Sequence, residues 1–229
     1  MQVRAAARWR IKGPQMEGVV ARWYAKVRRS GNQIEEYQQQ GAQLTQGLAA
    51  GAKVLEVAPG PGYLAVEIAR LGFQVTGLDI SRTFVQIETE NASQAGVSVD
   101  FQQGDAAVMP FEAESFDLIV CQAAFKNFIH PASALDEMYR VLRSGRTAVI
   151  QDMSSDATHV DIEREVQKMH LGWWSTFSTK ATLEMLRRRA YSPTRFKRLA
   201  AESRFQNCEI TTEGIGLEVR LTKQGANNR

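Results

Sequence analysis

The sequence predicts an α/β protein built on a mostly parallel sheet with crossover helices. From residue 53 onward, short apolar runs alternate with segments of helical periodicity, which is the order that such a sheet requires. A glycine-containing turn, residues 58–62, joins the first apolar run to the first helical segment. The 229 residues, 44% hydrophobic and 23% charged, are enough for one such domain and exclude disordered and fibrous classes.

Five apolar runs are predicted to be strands, at residues 53–58, 74–79, 97–101, 116–121 and 146–152. Helices are expected to begin near Tyr63, at the N-cap Ser81 and at Pro131, and to end at Gly72, Gly96 and Gly145. Residues 193–203 predict a last helix. Residues 208–212 and 217–222 predict an antiparallel pair of strands that turns at residues 213–214.

The alternation predicts five segments. Residues 1–15 are interpreted as a disordered basic tail, 16–50 as an N-terminal helical cap, 51–153 as the ligand-binding core, 154–192 as a helical lid, and 193–229 as the closing helix and hairpin. Four of the 28 basic residues lie in the first 12 positions, so the net charge of +3 identifies no partner.

The sequence also predicts several absences. Two cysteines make no disulfide framework, and a reducing, cytoplasmic setting is expected. No apolar window approaches eighteen residues, so no membrane span is expected. No cluster of His, Cys, Asp or Glu has metal-ligand spacing, which predicts no metal, and the oligomeric state is left open.

The turn after the first strand has the spacing Gly60-x-Gly62-x-x-Ala65, which also fits a dinucleotide fingerprint or an ordinary tight turn. Pro59 and Pro61 have no N–H, so the turn has two donors fewer for a pyrophosphate. A zwitterionic amino-acid group fits better, with the remaining N–H groups on its carboxylate. The Glu56 side chain and the Ala58 carbonyl would face its ammonium.

Acidic residues mark the ends of three successive predicted strands. Glu56 lies near the end of the first strand and Asp79 closes the second, where a carboxylate can accept hydrogen bonds from ribose hydroxyls. Asp105 follows the third strand, where it can accept the amine of an adenine. This arrangement predicts a nucleoside-containing ligand.

These segments resemble the class I S-adenosylmethionine-dependent methyltransferases, in particular the small-molecule branch that includes the ubiquinone and menaquinone C-methyltransferases. The matching segments lie at residues 54–62, 75–81, 104–106, 109–111, 116–119 and 137–143. The resemblance implies a Rossmann-like three-layer sandwich with a seven-stranded, mostly parallel sheet and an antiparallel final hairpin. It also implies S-adenosylmethionine as the cofactor and S-adenosylhomocysteine as its product.

The resemblance implies the residues that bind the cofactor. Gly60 and Gly62 would lie against its methionine part, Glu56 near its amino group and Asp79 on the ribose. The remaining expected contacts are Ile80, Gly104, Asp105 and Ala106 at the adenine, Gln122 and Ala123 at the sulfonium, and Ala58 and Tyr24. Ala58 stands where the family often has glycine, and a β-region backbone is expected to tolerate it.

The acceptor side departs from the family, because Lys126 and Asn127 stand where many relatives carry two histidines. His130 is the candidate general base, with Asp152 as a further candidate. The candidate walls of the acceptor pocket are Phe125, Asn127, Phe128, Trp173 and Trp174.

The predicted reaction is in-line displacement of the methyl group by a small-molecule acceptor. Three alternatives remain open from the residues alone. Residues 180–204 hold eight basic residues and two acidic ones, which would suit an RNA methyltransferase. A cofactor-binding regulator without turnover and an NAD-dependent oxidoreductase are the others.

Overall fold

The computed structural model describes residues 16–28, 31–169 and 173–225, without the side chains of residues 27, 31, 32 and 173–175. Its sheet has seven strands: β1 Lys53–Val57, β2 Gln74–Asp79, β3 Asp100–Gln103, β4 Phe116–Gln122, β5 Leu142–Met153, β6 Glu209–Glu213 and β7 Gly216–Thr222. The predicted basic tail, residues 1–15, lies outside the described residues.

The strands are ordered β3-β2-β1-β4-β5-β7-β6, which confirms the predicted mostly parallel sheet. β1 pairs in parallel with β2 and β4, and β4 pairs in parallel with β5. β7 runs antiparallel between β5 and β6, so the final hairpin is the antiparallel part of the sheet. The strand order reverses between β1 and β4, and their carboxyl ends therefore open a crevice at that edge.

Helices cover both faces of this sheet. They are α1 Gly18–Val27, α2 Gly31–Thr45, α3 Tyr63–Arg70, α4 Arg82–Ala95, α5 Pro131–Val141, α6 His159–Lys168, α7 Trp173–Arg187 and α8 Pro193–Glu202. One face packs apolar side chains of β1, β2, β4 and β5 against α2 and α3. The opposite face packs the alternate side chains against α5 and α8. Burial on both faces explains why the central strands are almost continuously apolar.

Local signals set several element ends as predicted. The Ser81 hydroxyl accepts a hydrogen bond of 3.1 Å from the Phe84 N–H and so caps α4. Gly96 ends the same helix with a φ of 70°, a left-handed conformation that glycine adopts without steric cost. The two final strands lie within one residue of their predicted positions, but the turn between them lies at residues 214–215 and not at 213–214, because Glu213 belongs to β6.

The predicted boundaries around Gly145 and at the third strand are wrong, and the fifth strand starts at Leu142 instead of residue 146. Gly145 does not end the helix that starts at Pro131, because α5 ends at Val141 and the chain enters β5 directly. Gly145 lies inside β5 with a φ of 75°, and its N–H donates to the Lys223 carbonyl. The third strand starts at Asp100 and not at residue 97, since pairing with β2 begins opposite Thr76.

The segment after β5 contains α6 and α7, which pack together. Ile162 and Val166 are buried there with Met153, while Leu183 and Leu186 cover them. Thr158 and Asp161 form a reciprocal capping box that begins α6. The role of this segment as a lid stays a prediction. None of the described helices is long and apolar enough to cross a membrane.

Candidate functional site

The turn after β1 lies at the crevice between the carboxyl ends of β1 and β4. Gly62 caps α3 with a φ of 76°, and a Cβ on it would lie 3.1 to 3.2 Å from the Glu88 and Phe101 side chains. Glycine is therefore required here both by the backbone and by the close approach. Ala58 has a φ of 56°, so the expectation of a β-region backbone there is wrong. Left-handed alanine costs about 1 kcal/mol, which the turn absorbs.

The N–H groups of this turn are largely used by the protein itself. The Gly60 N–H donates to Asp79 Oδ2 over 3.3 Å, and the Gly62 N–H donates to the Pro59 carbonyl over 3.1 Å. We expected the N–H groups that remain in this turn to bind a ligand carboxylate. In this structure those of Gly60 and Gly62 donate to acceptors within the protein, and the expectation stays a prediction. The 3.3 Å bond is long and is the weaker of the two.

Glu56 points its carboxyl into the space between β1 and the start of α3. The side chain is 2% exposed, and burial raises its pKa to about 8, although the Ala65 N–H donates a hydrogen bond to it. Its Oε2 has no hydrogen-bond partner within the described part of the chain. Burying a carboxyl oxygen without a hydrogen-bond partner costs free energy. A hydrogen-bond donor on a bound ligand would recover that free energy.

Asp79 closes β2 and is also buried. Its Oδ1 accepts a hydrogen bond of 2.8 Å from the Ser81 N–H, so the carboxyl is held at the start of α4. Burial raises its pKa to about 7 despite these backbone donors. A small fall in pH below neutrality would therefore protonate this group.

Glu88, on α4, is a third buried acid, which the sequence analysis did not identify. Neither of its carboxyl oxygens has a hydrogen-bond partner among the described residues. Burial, together with the charges of Asp79 and Glu56, raises its pKa to about 10. The signal was present in the sequence, because Glu88 lies on one helical face between Phe84 and Ala92. A glutamate inside an apolar stripe indicates a buried carboxyl.

A cavity lies beside these acids at the ends of β1 and β2 and the loop after β3. Its lining includes six of the predicted cofactor or catalytic residues: Ala58, Ile80, Gly104, Asp105, Ala106 and His130. Val57, Leu78 and Ala134 make the cavity largely apolar. His130 therefore lies with Asp105 at the predicted adenine position, and its role as a general base stays a prediction.

Gly104 and Asp105 have local roles in shaping this cavity. A Cβ on Gly104 would lie 2.5 Å from a methyl carbon of Leu78, so glycine allows the loop to approach β2. Asp105 Oδ1 accepts a hydrogen bond of 2.9 Å from the Ala107 N–H, which leaves its other oxygen for a ligand donor.

On the other side of the crevice, β4 ends at Gln122 and the chain turns through Ala123, whose φ is 54°. Lys126 follows, and its ammonium lies 2.7 Å from Asp152 Oδ1 and 2.5 Å from the Ala123 carbonyl. The Lys126 N–H also donates to Asp152 Oδ2 over 3.0 Å. Both side chains are less than 10% exposed, so this is a buried ion pair.

The residues predicted to form the walls of the acceptor pocket do not all lie together. Phe125 is 1% exposed and packs in a cluster with Phe128, Tyr191 and Phe196, so it belongs to the core. Phe128 also lines the cavity described above, and Asn127 is half-buried. The predicted acceptor contacts Trp173 and Trp174 begin α7, but their side chains lie outside the described residues.

Tyr24, the predicted cofactor contact on α1, packs edge-on against Phe84 of α4, with ring centroids 6.1 Å apart. The Glu17 carboxylate accepts hydrogen bonds from the Arg82 and Thr83 N–H groups and so fastens α1 to the start of α4.

No group of three or more metal-ligating side chains occurs in the described part of the chain.

Comparison with known proteins agrees with this geometry. Residues 55–150 match the family model described as a methyltransferase domain. A demethylmenaquinone methyltransferase of Deinococcus radiodurans is 32% identical over 108 residues, which is 46% of this chain and 45% of that protein. A ubiquinone/menaquinone biosynthesis C-methyltransferase of Geotalea uraniireducens is 31% identical over 112 residues, 47% of this chain and 48% of that protein. The chain thus spans about half the length of these curated relatives.

Two solved structures illustrate the fold. A candidate S-adenosyl-L-methionine-dependent methyltransferase of Methanococcus maripaludis superposes with a TM-score of 0.70 over 95% of this chain and 98% of its own, at 20% identity. The [4+2]-cyclase SpnF superposes with a TM-score of 0.52 over 57% of this chain and 50% of its own, at 27% identity. The fold is therefore shared across almost the whole chain.

Proposed function

We propose that this protein is a class I S-adenosylmethionine-dependent methyltransferase that transfers a methyl group to a small-molecule acceptor, because residues 55–150 match a family model described as a methyltransferase domain. The observation that carries the proposal is the set of acids at one sheet edge. Glu56, Asp79 and Asp105 lie at or near the ends of β1, β2 and β3, beside the glycine turn and an apolar cavity. Buried carboxyl groups without a cation suit a ligand that brings positive charge and hydroxyl donors.

The residues fit S-adenosylmethionine when each is matched to one of its groups. Oε2 of Glu56 is buried and unpartnered, and the ammonium of the cofactor would supply its donor. Asp79 would accept the ribose hydroxyls, and Asp105 the adenine amine. Val57, Leu78 and Ile80 would enclose the adenine ring. Gly60 and Gly62 would let the methionine part approach the turn after β1.

S-adenosylmethionine, when bound, supplies a methyl group whose bond to sulfur breaks as the acceptor lone pair bonds to it, leaving a neutral thioether. The protein has to hold the acceptor in line and exclude water, since proximity and orientation lower the barrier by several kcal/mol. Gln122 and Ala123, at the end of β4, would line this position. An acceptor that arrives with an O–H or N–H also has to lose that proton.

A small-molecule acceptor is favoured over RNA by the structure of the basic segment. Arg187 bonds to the Ala157 carbonyl and to Glu184, and the guanidinium groups of Arg195 and Arg204 lie over tyrosine rings. These cations therefore have partners within the fold. The names of the two quinone methyltransferases point in the same direction for their own acceptors.

Two measurements test the proposal. Titration calorimetry should detect binding of S-adenosylhomocysteine and no binding of NADH, and the reverse result would overturn the proposal. Labelled S-adenosylmethionine should then transfer its methyl group to a phenol, amine, thiol or carboxylate in preference to RNA. Because a cyclase shares this fold, binding alone is insufficient and transfer has to be measured separately. Cofactor binding without transfer to any acceptor class would favour a regulator.

A further inference from the structure

Three glutamines connect the N-terminal helices to the sheet beside the end of β4. Gln122 Nε2 donates to Gln40 Oε1 over 2.8 Å, and Gln40 Nε2 donates to Gln151 Oε1 over 2.6 Å. Gln151 Nε2 then donates to Glu218 Oε2 over 2.8 Å. The other oxygen of Glu218 accepts from Arg220 Nε over 2.8 Å. We call Gln122, Gln40, Gln151 and Glu218 the glutamine relay.

The carboxylate at one end sets the direction of every hydrogen bond in the relay. An ionised glutamate only accepts, so Gln151 has to present its NH₂ group to Glu218 and its carbonyl to Gln40. In the same way, Gln40 presents its NH₂ group to Gln151 and its carbonyl to Gln122, so Gln122 has to present its NH₂ group to Gln40. The carbonyl oxygen of Gln122 is consequently the free end, and no described residue donates a hydrogen bond to it.

The relay lies on the sheet face that carries Glu56 and at the same edge. Gln122 is in register with Gln151, and Gln151 is in register with Glu218, so the three side chains form a row across β4, β5 and β7. Gln40 of α2 covers this row, and all four side chains are half-buried. The free carbonyl oxygen thus belongs to the last residue of β4, at the crevice where the strand order reverses.

We propose that the glutamine relay is part of the acceptor site and that Glu218, acting through Gln151 and Gln40, positions the carbonyl oxygen of Gln122 to bind a hydroxyl group on a neutral acceptor. This inference rests on the proposed function and adds one property of the acceptor, a hydroxyl group that donates a hydrogen bond. Each hydrogen bond in the relay polarises the next, so the charge of Glu218 makes the Gln122 oxygen a better acceptor. Glu218 is a positioning residue, since it is three hydrogen bonds from that oxygen.

A matched pair of probes tests the class of acceptor. 1-Naphthol and 1-methoxynaphthalene share a ring system, but only the naphthol donates an O–H. Titration into the protein saturated with S-adenosylhomocysteine should give about tenfold tighter binding of the naphthol, a typical effect of one hydrogen bond to a neutral partner. Equal affinities, or no binding of either probe, would overturn the inference.

Two variants test the relay itself. Glu218→Gln removes the group that sets the hydrogen-bond direction, and Gln122→Leu removes the terminal oxygen; both should reduce the tenfold preference to about twofold or less. Glu209→Gln is the matched control on β6, because Glu209 is exposed and outside the relay, and it should retain the preference. Retention of the preference in Glu218→Gln would contradict the role of Glu218.

The affinity for S-adenosylhomocysteine separates this inference from the proposed function. Glu218→Gln and Glu209→Gln, which alter no expected cofactor contact, should bind it within twofold of the unaltered protein. If Glu218→Gln weakens it tenfold, the relay orients the cofactor and the acceptor assignment is wrong. If the unaltered protein does not bind it, the proposed function itself fails, whatever the two naphthalene probes do.

Discussion

The proposed cofactor side and the proposed acceptor side of the crevice partner their carboxyl groups in opposite ways. On the cofactor side, Glu56, Asp79 and Glu88 are buried, and no ion pair joins them to a cation among the described residues. On the acceptor side, Asp152 pairs with Lys126, and Glu218 is held by Arg220 and Gln151. The difference indicates that positive charge is expected from the ligand on one side and is built into the protein on the other.

This contrast has a simple electrostatic reason. S-adenosylmethionine carries an ammonium and a sulfonium. Acids that have no cation of the protein beside them can interact with these groups, and binding would offset the free-energy cost of burying the acids. A neutral acceptor brings no charge and could not return that cost. Neutralising Asp152 with Lys126 in advance avoids an uncompensated charge beside the site.

The largest expected effect comes from breaking the pair on the acceptor side. Lys126→Met leaves Asp152 buried without its cation, and the free energy of unfolding should fall by about 3–5 kcal/mol. Urea titration followed by circular dichroism measures this loss. The matched control is Lys180→Met, because the ion pair of Lys180 with Glu163 is largely exposed and should contribute less than about 1 kcal/mol. Equal losses of unfolding free energy in the two variants would contradict the difference between the two sides of the crevice.

On the cofactor side, Asp79→Asn should weaken S-adenosylhomocysteine binding by about 1–3 kcal/mol, since charge-assisted hydrogen bonds to the ribose are lost. The affinity of the unaltered protein should also fall as the pH drops below the pKa of Asp79, about 7, and Asp79→Asn should flatten that dependence. Calorimetry from pH 6 to 8 measures both. Asp100→Asn, at the exposed start of β3, should change neither.

A smaller effect, on the free energy of unfolding, is expected at Glu88, whose buried carboxyl group lies beneath the turn after β1. Its pKa is raised to about 10 from 4.5, so the unfolded chain releases the proton first and the fold loses stability as pH rises above about 4.5. Glu88→Gln removes this loss. The free energy of unfolding should be unchanged at pH 4 and at least about 1 kcal/mol higher at pH 8.

Denaturant titration at both pH values checks this. Glu90→Gln is the control, since Glu90 is exposed on the same helix and should show no gain at either pH. A gain for Glu88→Gln that is the same at pH 4 and pH 8 would mean that burial of the charge is not its cause.

The smallest expected effect concerns a feature that the two sides share. Ala58 and Ala123 follow β1 and β4 with φ values of 56° and 54°, so both strands turn into the crevice through a left-handed alanine. Replacing either with glycine should stabilise the fold by about 0.5–1 kcal/mol. Thermal unfolding measures this, and Ala69→Gly, within α3, should instead destabilise by about 1 kcal/mol. Destabilisation by both turn variants would show that the turns are not strained.

Much of the fold could be read from local patterns. Ser81 and Gly96 bound α4 because capping depends on neighbouring residues, and the alternation of apolar runs and helical segments was enough to predict a mostly parallel sheet. Gly145 was misread because a glycine with positive φ ends helices and also occurs inside irregular strands. The tertiary structure decides between these two possibilities, because the Gly145 N–H donates to the carbonyl of Lys223, 78 residues later in the chain.

The sequence by itself determined which acids lie at the sheet edge where the cofactor is proposed to bind. Parallel strands bring their carboxyl ends to one edge, so Glu56, Asp79 and Asp105 had to lie near each other once the strands were identified. Only the tertiary structure decided how charges and amides are partnered. Glu88 is buried by packing under Gly62, and Gln40 meets Gln122 and Gln151 across sequence separations of 82 and 111 residues. Such partners depend on strand register and helix packing, which no local pattern specifies.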